Sequence, residues 1–180
     1  MTIRTLLWFG STFLILAVAA TRAEDLSKKY VGKSNCVPEL STASHKYGVR
    51  LDRTQGAYLS AFTLKDEDML TIVQYGQEGD KCGVIRDVIL AQHEDDSFVW
   101  ECVNRRSPSA VVVGTWPAQP PKPRGPAVEA WRIDLKKLKF IRVEQASRLV
   151  YCRLENWSGN DDGLGLSDYA KKRAGKHPSN

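Results

Sequence analysis

The chain has 180 residues, 42% of them hydrophobic and 26% charged, with four cysteines and a formal net charge of +5. That length supports one domain with a substantial core and is too short for two large ones. The composition excludes wholesale disorder, a collagen, a coiled coil and a multi-span membrane protein.

Residues 1–23 read as an export leader. Arg4 is followed by an uncharged run over residues 5–21, dominated by Leu, Phe, Ile, Val and Ala, with small residues towards its end before Arg22 and Ala23. A short basic start, an apolar centre and a small-residue end form the tripartite pattern of a secretory signal peptide. Cleavage is expected after Ala23, with Ala20 the alternative. An uncleaved anchor is the competing reading, but the run is at the lower limit for spanning and contains Gly10, Ser11 and Thr12. No stable membrane insertion is expected after cleavage. The leader holds Arg4 and Arg22 and no acid, so the +5 falls to +3 for residues 24–180. That is a solubility statement, and no nucleic-acid partner is expected from it.

The rest of the chain reads as short strands. Residues 24–33 form a polar lead-in, and residues 38–44 have room for one helical turn. Segments rich in β-branched and aromatic residues follow at 58–63, 69–75, 84–90, 98–103, 110–116, 128–133, 140–143 and 149–154. Alternation is clear where Phe98, Trp100 and Cys102 interleave with Val99, Glu101 and Val103, and again around Trp131 and Ile133. The run Ala110-Val111-Val112-Val113 is apolar on both faces and predicts a central strand. Turn residues separate the segments at 76–80 and 106–108 and in the proline run from Pro117 to Pro126. Residues 134–138 suit a short helix or a hairpin tip. Residues 167–174 suit a helix with Lys171, Lys172 and Arg173 at its cation-favouring end. The expected fold is mainly β: an antiparallel sandwich or barrel-like domain with two disulfides and short helices at most, α+β being the alternative. The expected organisation is a leader over 1–23, one β-rich domain over 24–157 and a polar basic tail over 158–180.

Cys36, Cys82, Cys102 and Cys152 all follow the leader, so an oxidising compartment and two disulfides are expected. Four cysteines allow three connectivities. Cys82 begins one predicted strand and Cys102 ends another, with the polar stretch His93-Glu94-Asp95-Asp96 between them. A hairpin about that stretch would place Cys82 opposite Cys102 and leave Cys36 to pair with Cys152. No close cysteine pair of the zinc-site kind is present, and no metal or cofactor is expected.

The catalytic signals are thin. Carboxylates cluster at Asp66-Glu67-Asp68, Glu94-Asp95-Asp96 and Asp161-Asp162, where a solvated turn explains them as well as a glycosidase pair does. The stretch 156–163 hints at a calcium loop but puts Asp161 where glycine is required. His45, His93 and His177 show no metal-binding spacing, and neither a G-x-S-x-G elbow nor a phosphate-binding glycine loop is present. Asn156-Trp157-Ser158 is a glycosylation sequon. The proline run, with Pro120, Pro121 and Pro123 flanked by Trp116 and Trp131, reads first as a stiff connector and second as an interaction loop. The expectation is therefore a secreted or periplasmic, non-enzymatic binding domain for a protein, a glycan or the cell envelope. An extracytoplasmic hydrolase using carboxylates or His93 is the rival, and a structural subunit the third reading.

Overall fold

The computed structural model describes residues 29–41, 43–52, 54–64, 67–77, 79–91, 96–117 and 124–153. Their strands are β1 (Ser44–Asp52), β2 (Ala57–Leu64), β3 (Glu67–Gln74), β4 (Val84–Leu90), β5 (Asp96–Asn104), β6 (Ser107–Pro117), β7 (Arg124–Pro126), β8 (Ala130–Asp134), β9 (Lys139–Arg142) and β10 (Val150–Arg153). Two one-turn helices join them, α1 (Pro38–Ser41) and α2 (Ala146–Leu149). One sheet runs β1-β2-β3-β4 and the other β7-β10-β5-β6-β8-β9. Neighbouring strands in both are antiparallel. The fold is mainly β and sandwich-like, as the strand spacing predicts. The two sheets do not close into a barrel.

Three apolar clusters hold this arrangement together. The central one packs Val49, Leu51, Leu59, Leu70 and Ile72 of the four-stranded sheet against Phe98, Val111, Val113, Trp131 and Ile133 of the six-stranded one. The outer face of the four-stranded sheet buries Phe62, Met69, Val73, Ile85 and Val88 beneath Tyr30 and Leu40. The outer face of the six-stranded sheet buries Val99, Val112, Trp116 and Val150 with Cys102 and Cys152 beneath Ala127 and Ala146. Strand β6 shows why its run is apolar throughout: Val111 and Val113 face the other sheet while Val112 faces the outer cluster. Every strand in such a position lacks the simple in–out alternation of a half-exposed sheet.

All eight predicted strands are present, with ends shifted by a few residues. Strands β1 and β7 are additions. In β1 the core-facing Val49 and Leu51 alternate with Gly48 and Arg50, a period-two signal diluted by the polar residues around it. Strand β7 is the end of the proline run. It occupies the sheet margin, where a missing N–H is tolerated. Its Gly125 lies under the Trp116 ring, where a Cβ would stand 3.2 Å from Cζ2. Residues 134–138 form the β8–β9 hairpin tip, in which Asp134 Oδ1 accepts from the backbone N–H of Lys136 and Lys137. In the described part of the polar lead-in, Tyr30 is wholly buried.

The disulfide pairing differs from the hairpin expectation. Cys36 bonds Cys82 and Cys102 bonds Cys152, rather than Cys82 with Cys102 and Cys36 with Cys152. The reason is topological. Strands β4 and β5 do not form a hairpin, because the chain passes from one sheet to the other between them. Strand β10 then adds beside β5 and sets Cys152 directly opposite Cys102. Cys36 comes within 5.6 Å of Cys82, Cα to Cα, in the segment that covers the outer face of the four-stranded sheet. The two disulfides point to an oxidising, extracytoplasmic environment.

Gly114 on β6 has no room for a side chain beside the second disulfide. A Cβ there would stand 2.9 Å from Cys152 Sγ and 3.1 Å from both Cys102 Sγ and Ala127 Cβ. Gly114→Val is expected to lower unfolding stability by about 1–3 kcal/mol, an overpacking cost measurable by urea denaturation.

Asp87 on β4 ties the two sheets at one margin. Its Oδ2 accepts from the Phe140 N–H on β9 at 2.8 Å and its Oδ1 from the Val88 N–H at 3.0 Å. Burial holds its pKa above the ordinary carboxylate value, although these two hydrogen bonds and Lys139 pull the other way. The folded state therefore binds the proton more tightly than the unfolded chain. The stabilisation this provides is complete below the unfolded pKa and is lost as pH rises through the folded one. Between about pH 3 and pH 6, Asp87→Asn should remove that component. The wild-type protein should then lose stability relative to the variant as pH rises, read from urea midpoints across the series. A constant difference between the two proteins would contradict this.

Candidate functional site

A cleft of about 890 Å³ opens at one end of the four-stranded sheet, within the size range of ligand sites. Arg50 near the end of β1, Tyr58 at the start of β2, Gln74 at the end of β3 and Arg86 on β4 line it, with the turn at 54–56 and with Tyr75, Gly76, Gln77, Gly79 and Asp80.

The turn is built by Asp52. Its Oδ1 accepts from the backbone N–H groups of Thr54 and Gln55 and from Thr54 Oγ1, at 2.9, 3.0 and 2.7 Å. Gly56 follows with φ +60°, and a Cβ there would stand 2.9 Å from the Tyr75 carbonyl oxygen. Glycine is what allows the turn to approach β3 so closely. The opposite wall begins at Tyr75 and turns through Gly76 and Gly79, where Asp80 Oδ2 accepts from the Gln77 N–H at 2.8 Å.

The side chains within the cleft are fixed by one another. Arg50 lies over the Tyr58 ring at 5.6 Å and its Nε donates to the Tyr58 hydroxyl at 3.1 Å. Tyr58 and Tyr75 meet edge to face with centroids 5.3 Å apart. Asn35 Nδ2 donates to the Tyr75 hydroxyl at 3.2 Å, while Asn35 Oδ1 accepts from the Gly83 N–H at 2.7 Å. Arg86 Nε donates to Gln74 Oε1 at 2.8 Å, Gln74 Nε2 to the Gln55 carbonyl at 3.1 Å, and Gln55 Nε2 to the Leu135 carbonyl at 2.8 Å. That last bond runs to the β8–β9 hairpin, so the cleft is braced against both sheets. Side chains locked this way lose little rotamer freedom when they meet a ligand.

The residues singled out from the sequence are distributed elsewhere. Trp116 and Trp131 are buried on opposite faces of the six-stranded sheet, Trp116 over Gly125 and Trp131 against Phe98, so neither ring is available at the surface. Pro120, Pro121 and Pro123 lie outside the described residues, as do His93, His177, Glu94, Asp95, the pair Asp161-Asp162, the sequon and the leader. Asp68 lies on β3, where its Oδ1 accepts from Thr63 Oγ1 at 2.7 Å. Glu129 is the most buried carboxylate among the described residues, and it accepts from Arg142 Nη2 at 2.7 Å. Among the described residues no group of His, Cys, Asp and Glu is arranged to hold a metal ion, and no helix is long and apolar enough to cross a membrane.

The sequence reading missed Arg50, Tyr58, Gln74, Tyr75 and Arg86 as site residues. Its one usable signal was the glycine-bracketed stretch 76–80 between two firm strands, the kind of connection that carries function on a rigid scaffold. No family model matches the chain, and neither a curated protein nor a solved structure is similar to it.

Proposed function

We propose that this chain is an exported, non-enzymatic binding domain, directed out of the cytoplasm by residues 1–23, which holds its ligand in the cleft between Arg50 and Arg86. The observation that carries the reading is the pre-set network of guanidinium, phenol and amide groups, fixed on a sheet and braced to its neighbour. Such groups orient a polar ligand. Glycoside hydrolysis ordinarily uses two carboxyl groups placed about one bond, and Asp80 is the one carboxylate lining the cleft among the described residues. The disulfides fit a life outside the cytoplasm, and the leader fits secretion or periplasmic release.

The test is retention of the oxidised, exported chain on its own cell-envelope fraction. Wild-type protein should be retained and Arg86→Glu should not, with disulfide mapping showing both bonds intact in each. Equal retention of the two proteins would remove the cleft from the function. Sustained turnover of a glycan or peptide, abolished by Asp80→Asn, would establish the hydrolase instead. An amino terminus at Glu24 or Thr21 in exported material supports the leader, and an intact Met1 terminus in the cytosol would refute it.

A further inference from the structure

The six-stranded sheet is wider than the four-stranded one, and its margin β7-β10-β5 carries a surface of its own. Along β7 and β10 successive side chains point to opposite faces. Gly125 lies under Trp116 and Cys152 belongs to the outer cluster, so Arg124 and Pro126 on β7 and Tyr151 and Arg153 on β10 stand on the other face. Tyr151 is 43% exposed there, so the four-stranded sheet does not cover it. The register sets Tyr151 between Val103 of β5 and Pro126 of β7, and Arg153 opposite Arg124. The β5–β6 turn adds Arg105. Its N–H donates to the Leu149 carbonyl at 2.9 Å, and its guanidinium lies over the Tyr151 ring at 4.5 Å. That ring contact places Arg105 on the same face and limits the freedom it has to lose on binding.

Arg105 and Arg124 are both exposed, and among the described residues neither is ion-paired with a carboxylate. Arg153 has a partner of its own, which leaves these two as the working guanidinium groups. Of the carboxylates on β5, Glu101 is half-buried and Asp96 lies at the far end of the strand. With about 3.3 Å per residue along a strand and about 4.8 Å between strands, the two cations stand on the order of 10 Å apart over a floor of Tyr151 and Pro126. One small anion cannot meet both, whereas a chain with repeated charges can. From this geometry we infer that the margin binds an acidic glycan, a sugar chain bearing carboxylate or sulfate groups, through Arg105 and Arg124. A guanidinium meets such an oxyanion with two parallel N–H bonds, and the ring and aliphatic carbon between the cations suit the C–H faces of the sugars. An acidic peptide added as a strand would need the backbone of β7, which is three residues long and has no N–H at Pro126. A nucleic acid stacks its bases on open rings, and Arg105 lies over the Tyr151 ring. The site shares no residue with the cleft, and its test does not depend on the cleft.

The experiment is a calorimetric titration of the oxidised, exported chain with polygalacturonate, dextran sulfate, neutral dextran, polyglutamate and a single-stranded oligonucleotide. At least one of the two acidic glycans should bind, and added salt should weaken it by screening the charges. Neutral dextran should not bind, and polyglutamate and the oligonucleotide should bind more weakly than that glycan. Arg105→Gln and Arg124→Gln should each weaken the glycan about threefold to tenfold, and the double variant about tenfold or more. Arg105→Gln also gives up the ring contact with Tyr151, so Arg124→Gln with an unchanged urea midpoint is the variant that reads the charge and not the fold. Replacing Lys136 and Lys137 together by glutamine, which takes two charges from the β8–β9 hairpin, should leave binding within about twofold. The inference is overturned if neither acidic glycan binds or if neutral dextran binds equally. It is also overturned if polyglutamate or the oligonucleotide binds as tightly as the glycans, or if the two arginine variants weaken binding no more than the lysine pair does.

Discussion

Replacing both Cys102 and Cys152 by alanine should lower the unfolding free energy by about 4 kcal/mol, the chain-entropy value for closing a loop of about fifty residues. The two sulfurs join positions 50 residues apart, and both cysteines are almost fully buried. Packing adds to the loss. The disulfide sits in the outer cluster against Gly114 and Ala127, so two alanines leave a void where the sulfurs were. The affected elements are marginal by themselves. Strand β10 has four residues, of which Val150, Tyr151 and Cys152 pair with β5 and Tyr151, Cys152 and Arg153 with β7. A loss of about 4 kcal/mol is a large part of a typical domain stability of about 5–15 kcal/mol. Guanidinium unfolding of the double variant against wild type measures it, and a loss below about 1 kcal/mol would mean that β5 and β10 stay paired without the crosslink.

That second disulfide also shows where sequence reading reached and where it stopped. The strands themselves were legible because valine, isoleucine and aromatic runs bounded by glycine and proline leave few other conformations open. Val111-Val112-Val113 even announced a strand covered on both faces, which β6 is. What local pattern does not encode is which strand lies beside which. Cys82 and Cys102 are near in the chain and belong to different sheets, whereas Cys102 and Cys152 are far apart in the chain and face each other. Partner choice among strands is decided by how both sheets bury their faces together, and no window of ten residues contains that information.

The cleft was hidden for a related reason. Tyr58, Tyr75 and Arg86 fall within predicted strands, and Arg50 belongs to no motif. They become a site because β1, β2, β3 and β4 align their ends, and because Asn35 and Gln74 happen to reach Tyr75 and Arg86. The tryptophans that stood out in the sequence turned out to fill the core, as large rings usually do.

The two disulfides should respond very differently to reductant. Cys36 and Cys82 are exposed, whereas Cys102 and Cys152 are nearly inaccessible to solvent. Thiol–disulfide exchange requires the attacking thiolate to reach a sulfur. The first bond can therefore be attacked in the folded protein, and the second must wait for β5 and β10 to separate. If that opening costs several kcal/mol, the alkylation rates after mild reduction should differ by at least about a hundredfold. The early product would not be unfolded. It would have a loosened segment 30–41, which is otherwise held by the bonds from Gly32 N–H to the Ile85 carbonyl, Ile85 N–H to the Lys33 carbonyl and Asn35 N–H to the Gly83 carbonyl. Asn35 is on that segment and orients the Tyr75 hydroxyl, so opening the exposed disulfide should weaken ligand binding in the cleft while most of the sandwich remains intact. Time-resolved alkylation with peptide mapping gives the order of opening, and the envelope-retention assay repeated on the singly reduced protein gives the coupling. Equal alkylation rates for the two pairs would mean that the outer segment and the core open as one unit, and that the cleft is no more sensitive to reduction than the fold itself.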